Sequence, residues 1–135
     1  MVASVEKEKK PITPENMRNL ALAMIDYFNK KSIGYWYNMH ILVNNEMWSS
    51  ESHEGYNKKI SPKGAIYYVK ENVDAVKQNE YANPNTITII FDGSPLYKKI
   101  NYQDFDYLSK LNEKFLKPYG LFFELGYAWS MSAFA

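Results

Sequence analysis

The sequence contains no cysteine. Disulfides, thiolate nucleophiles, iron–sulfur clusters and the usual structural zinc sites are excluded together, because each needs a thiol or thiolate. Arginine is almost missing as well. Fifteen of the sixteen basic residues are lysine, and Arg18 stands alone. The guanidinium fork is the preferred partner of phosphate and of guanine edges, so a chain of net charge +1 with one arginine is a poor reader of DNA sequence. Glycine is sparse and scattered, at 34, 55, 64, 93, 120 and 126. No GxGxxG or GxxxxGK[ST] pattern exists, which excludes the two common phosphate loops. Long apolar runs are missing too. The nearest stretch, 121–135, falls short of the roughly 18 residues of a membrane helix and carries Glu124. The first ten residues, MVASVEKEKK, have no apolar stretch behind their charges. That argues against a secretory signal, and the cytoplasm is the expected compartment.

What is present is globular in character. Hydrophobic residues make up 46% of the 135 positions and aromatic residues 16%, too much for a solvated coil. The length predicts one domain. Residues 1–12 read as a flexible charged arm and 13–135 as a single folded unit. Lysine, asparagine and tyrosine, all common here, use AT-rich codons and point to a low-GC bacterial coding sequence.

The first helix is well marked. Thr13 is an N-cap, Pro14 suits the first helical position, and Glu15 favours the positive end of the dipole. Met17, Leu20, Ala21, Met24, Ile25 and Phe28 follow the 3.6 period, and Ser32-Ile33-Gly34 stops the helix. Tyr35–Val43 alternates as a strand, with Tyr35, Tyr37, Met39, Ile41 and Val43 inward and Trp36, Asn38, His40 and Leu42 on a mixed face. Asn44-Asn45 predicts a turn into a second strand at 46–49, since asparagine tolerates positive φ. Residues 50–64 read as loop. Residues 65–82 fit either one helix or a strand at 65–69 followed by a short helix; β-branching and paired tyrosines favour the second. Thr86–Phe91 is a strand. Ser94-Pro95 predicts a helical turn through Ile100 in preference to a returning strand. A second main helix spans 104–117, with Phe105, Leu108, Leu111, Phe115 and Leu116 inward. Leu121–Met131 reads as a last strand. The pattern predicts an α+β fold: an antiparallel or mixed sheet of about four to six strands, with two main helices packed largely on one face.

Motifs for chemistry are weak. His53-Glu54 begins an HExxH pattern, but position 57 is asparagine, so two histidines cannot ligate from one helical face. His40 and His53 could still meet a carboxylate of Glu46, Glu51 or Glu54. No GxSxG elbow is present. These residues assign no catalytic group, metal or cofactor. One constellation stands out: the mixed sheet face, on which Trp36, Asn38, His40, Phe122 and Glu124 form a candidate binding surface. Thr86, Thr88 and Ser130 share it, and its ordinary counterpart is a semi-polar face or a second buried layer beneath the 46–64 loop. Aromatic side chains there supply contact area and polar ones direction. The expected function is a small non-catalytic protein-binding module, of the kind found among bacterial accessory proteins and mobile-element inhibitors or adaptors. An alternative is an enzyme or ligand-binding pocket using His40 as base and Glu124 as acid. A third reading, RNA or single-strand binding through exposed tyrosines with Lys58, Lys59 and Lys63, is disfavoured by the near-zero net charge.

Overall fold

In the computed structural model, residues 8–135 are described. The chain folds as α+β around one seven-stranded sheet in which every neighbouring pair is antiparallel. Helix α1 (Pro14–Phe28) opens as its sequence dictates. The Thr13 hydroxyl accepts the Asn16 N–H at 3.1 Å, and the six residues of the expected apolar face are all buried. The helix ends at Phe28, with Asn29 as its C-cap, and the chain reverses at Gly34 (φ +65°). Of the charged arm, residues 1–7 lie outside the described residues; Lys10 donates its N–H to the Pro118 carbonyl at 2.8 Å.

Strand β1 covers only His40–Val43, shorter than the predicted 35–43. Asn38 adopts φ +50°, a left-handed conformation that breaks an extended run. Just before it, the Trp36 amide donates back to the Phe28 carbonyl, so Tyr35–Asn38 wraps the end of α1 instead of pairing. Asn44 and Asn45, at φ +52° and +58°, make the expected two-residue turn into β2 (Glu46–Ser49). Positive φ at both central residues matches the right-handed twist of the flanking strands. The 50–64 stretch is not all loop: Asn57–Ile60 forms edge strand β3, exposed at every position and paired with β4 (Ile66–Lys70). A strand open on both faces leaves no alternation to detect, and its lysines discourage edge-to-edge pairing. Residues 65–82 resolve as strand then helix, with β4 followed by α2 (Ala75–Gln78).

Strand β5 (Ile87–Ile90) lies next to β1. The Ser-Pro turn is helical, as α3 (Leu96–Lys98) running into one π-helical turn, Lys99–Gln103. Helix α4 starts at Tyr107, runs to Leu111, and continues as π and then 3₁₀ turns to Tyr119. Phe105 therefore precedes the helix and stands 81% exposed, not inward as its spacing predicts. The predicted strand 121–131 is a hairpin of two strands, β6 (Phe122–Leu125) and β7 (Ser130–Phe134). The Gly126 N–H donates to the Ser130 carbonyl, and the Ser130 hydroxyl accepts the Tyr127 N–H, closing a turn built from aromatic residues. The extra strands β3 and β7 carry the sheet beyond the expected four to six. Its order is β3-β4-β2-β1-β5-β7-β6.

One face of the sheet carries the main core. Ile41, Val43, Trp48, Ile87, Ile89, Met131 and Phe123 pack with the inward residues of α1 and with Leu111 and Leu116 of the α4 segment. The opposite, outer face carries a smaller cluster. Leu42, Met47 and Ile90 lie beneath Val73, Ala75 and Ala82 from the β4–β5 connection.

Candidate functional site

The outer face divides into three zones, set by what crosses it. Its middle is roofed by the β4–β5 connection, and hydroxyl-bearing strand residues hold the roof down. Asn83 donates its N–H to the Thr88 hydroxyl (3.1 Å), Thr88 and Ser132 share a bond of 2.8 Å, and the Ser132 hydroxyl donates to the Tyr81 carbonyl (2.9 Å). A carbonyl only accepts, and a hydroxyl has one proton, so the direction of the row is settled. The Thr88 hydroxyl must donate to Ser132, and it in turn accepts from Asn83. Thr86 and the Asn83 amide add bonds to the Ala133 carbonyl at 2.7 and 2.8 Å. Thr86, Thr88 and Ser130 are thus buried under or beside a loop instead of forming an open surface. The covering segment is the β4–β5 connection, not the 46–64 loop.

The second zone is the His40 corner. His40 lies between Ser49 on β2 and Ile90 on β5. The loop after β2 brings the His53 ring to 6.1 Å from the His40 ring, and the Tyr56 ring to 5.3 Å from His53. The Asn38 side-chain amide lies against the Glu51 carboxylate, a placement in which only its NH₂ end can bond. Burial, and then the neighbouring His53, hold the His40 pKa below its usual value, against the opposing pull of Asp92 and Glu51. Its Nδ1 is buried without a hydrogen-bond partner among the described residues. His40 and His53 do come together, but among the described residues no group of three His, Cys, Asp or Glu side chains is placed to hold a metal ion.

The third zone is the rim at β6–β7. Phe122 pairs across from Phe134, and Glu124 from Ser132. Tyr81 is seated on this hairpin because position 126 is glycine; a Cβ there would lie 2.7 Å from the Tyr81 Cγ. Tyr81 meets Tyr127 edge-on at 4.9 Å, and Tyr127 stacks on Trp129 at 4.5 Å with planes 3° apart. The Tyr127 hydroxyl donates to the Glu80 carboxylate. Between these elements runs an open groove of about 310 Å³, lined by Glu80, Tyr81, Ala82, Glu124, Leu125, Gly126 and Phe134. Tyr81 and Leu125 in its lining are substantially exposed, as are Phe122 and Trp129 on the same hairpin. Glu124 has no ion-pair partner among the described residues. The β6 edge itself is partly closed, since Asn112 accepts the Phe123 N–H at 2.8 Å.

The five residues singled out by sequence therefore fall in three places. Phe122 and Glu124 share the rim. Asn38 and His40 sit in the histidine corner. Trp36 is in neither, because it does not lie on a strand: it is 4% exposed in the main core, and its indole N–H donates to the Ile66 carbonyl at 2.9 Å. His40 and Glu124 are three strand steps apart, roughly 14 Å at ordinary inter-strand spacing, so they do not form an acid–base pair. Sequence reasoning missed Glu80, Tyr81, Tyr127 and Trp129. The only local cue was a glycine, Gly126, set among apolar residues. Among the described residues, no helix is long and apolar enough to cross a membrane. Compared with protein families, with curated proteins and with solved structures, the chain matches none.

Proposed function

We propose that this chain is a non-catalytic protein-binding module of the inhibitor or adaptor kind, and that the β6–β7 rim groove is its contact surface. The observation that carries this reading is the clustering of exposed rings. Tyr81 and Leu125 line one groove, and Phe122 and Trp129 stand exposed on the same β6–β7 hairpin. Contiguous exposed aromatic surface of this type is a mark of protein contacts. The groove suits an anchor-in-pocket contact better than strand addition, because Asn112 already occupies a donor of the β6 edge. Glu80 and Glu124 at its border favour a partner with a cationic side chain beside its apolar anchor.

The test is affinity capture from host lysate with the wild-type chain, with Phe122→Ala/Trp129→Ala, and with a control double variant, Lys58→Gln/Lys59→Gln, on the far edge of the sheet. Circular dichroism first verifies that each is folded. The expected result is one stoichiometric protein, kept by the control and lost by the rim variant. Equal capture by all three chains would remove the rim from consideration, and empty capture by the wild type would remove the binding-module reading.

A further inference from the structure

A second groove lies on the helix side of the molecule, away from the rim. It runs between α1 and the α4 segment, has a volume of about 450 Å³, and is lined in part by Asp26, Tyr27, Lys30, Lys63, Lys114 and Phe115. Two ammonium groups are drawn to one ring. Lys30 Nζ lies 5.2 Å and Lys114 Nζ 5.1 Å from the Tyr27 ring centroid, both within cation–π range. Like charges that line one groove repel each other, and an anion bound in the groove relieves that repulsion. The protein supplies none: among the described residues, Lys30, Lys63 and Lys114 make no ion pair. The single carboxylate in the groove, Asp26, is engaged elsewhere. It accepts the Ser61 hydroxyl and the Lys63 backbone N–H.

The floor of the groove is also a donor. The Tyr107 hydroxyl, whose proton is held firmly by burial, donates to the Tyr27 hydroxyl at 3.4 Å. Tyr27 accepts in that bond and keeps its own proton to give. Beside it the Phe115 ring, 5.2 Å from Tyr27 and edge-on, provides an apolar wall. Three ammonium groups against one carboxylate leave the lining at a net charge of plus two. A phosphate monoester carries roughly −1.5 to −2 at neutral pH and offers three acceptor oxygens. We infer that this groove binds an organic phosphate, with the phosphate held by Lys30, Lys114 and the Tyr27 hydroxyl and its apolar body against Phe115.

The test is a ¹H–¹⁵N NMR titration of the full chain with phenyl phosphate, benzoate and a short phosphotyrosine peptide, in about 150 mM salt to screen diffuse attraction. Saturable shifts should centre on Tyr27, Lys30, Lys114 and Phe115. Benzoate should bind several-fold more weakly, and Lys30→Gln/Lys114→Gln should weaken phenyl phosphate by roughly tenfold or more, as the loss of two charge-assisted contacts implies. Both lysines are exposed, so this variant keeps the fold. Tighter binding of the peptide assigns the phosphate to a phosphorylated protein; equal binding assigns it to a free small molecule. Either outcome upholds the site. Shifts spread over the lysine-rich β3 edge, no saturation, or an affinity unchanged in the double variant would overturn it.

Discussion

The three-bond row Asn83–Thr88–Ser132–Tyr81 makes a quantitative prediction, because its bonds share atoms. Thr88 and Ser132 are 0% and 2% exposed, so groups left unpaired there are not rescued by bulk water. A neutral hydrogen bond contributes a net of about 1 kcal/mol, and a buried group stripped of its partner costs about 1–3 kcal/mol. Ser132→Ala removes two bonds and strands both the Tyr81 carbonyl and the Thr88 hydroxyl, which predicts a loss of about 2–4 kcal/mol. Thr88→Val is close to isosteric. It removes the bonds from Asn83 and to Ser132 and strands one N–H, which predicts about 1–3 kcal/mol. The double variant loses all three bonds, but the central one is counted in both single variants and no hydroxyl remains stranded. Its cost should therefore fall short of the sum by about 1 kcal/mol or more. Urea unfolding followed by far-UV circular dichroism measures all four chains. Additivity to within about 0.3–0.5 kcal/mol, or a Ser132→Ala cost below that range, would refute the inferred direction and burial of the row.

Three further outcomes follow from the same geometry. Gly126→Ala should displace Tyr81, at an overpacking cost of about 1–3 kcal/mol, and alter the near-UV circular dichroism of the Tyr81–Tyr127–Trp129 stack; an unchanged spectrum counts against that packing. Trp36→Ala should cost about 3–5 kcal/mol in urea unfolding, as core truncations do, and a loss under about 1 kcal/mol is incompatible with the buried indole. The depressed His40 pKa means that the unfolded chain binds this proton more readily than the folded one. Its stabilising contribution is thus complete above the unfolded value of about 6.5 and is lost as pH falls from there through the folded pKa. His40→Gln should flatten the decline of the urea midpoint between about pH 7.5 and 5, and a wild-type midpoint that rises on acidification would reverse the sign of the argument.

Legibility in the sequence followed the range of the interactions that decide each element. Helix α1 was readable to the residue on its inward face, because a cap, a proline and a 3.6 period all act within its own length. The Asn44-Asn45 turn was readable for the same reason. The end of α1 was not, since Trp36 alternates correctly for a strand and is pulled into the core by the Phe28 and Ile66 carbonyls, which lie 8 and 30 residues away. The C-terminal hairpin was hidden by its own turn. Tyr127 and Trp129 continue the apolar alternation through the reversal, where a polar turn would have interrupted it.

The rim groove shows the same limit in the site. Phe122 and Glu124 could be placed on the outer face by parity within β6, which is a local property. Tyr81 could not be placed with them, because nothing within its own segment says that it rests on Gly126, 45 residues onward. Thr88 and Ser132 were ambiguous for a deeper reason. A hydroxyl-bearing position on a sheet is equally suited to water, to a partner, and to the backbone of a loop crossing above it; each offers the hydroxyl the same kind of bond. What decides among them here is the length of the β4–β5 connection. It must travel from β4 to β5 across the two intervening strands, β2 and β1, and its route over the outer face buries Val73, Ala75 and Ala82 on Leu42, Met47 and Ile90. That apolar burial brings the Asn83 N–H and the Tyr81 carbonyl down onto the strand, and the hydroxyl groups then pair with this half-buried backbone. The same descent stops at the rim, where Tyr81 overhangs β6, and it is the end of the roof that leaves the groove open.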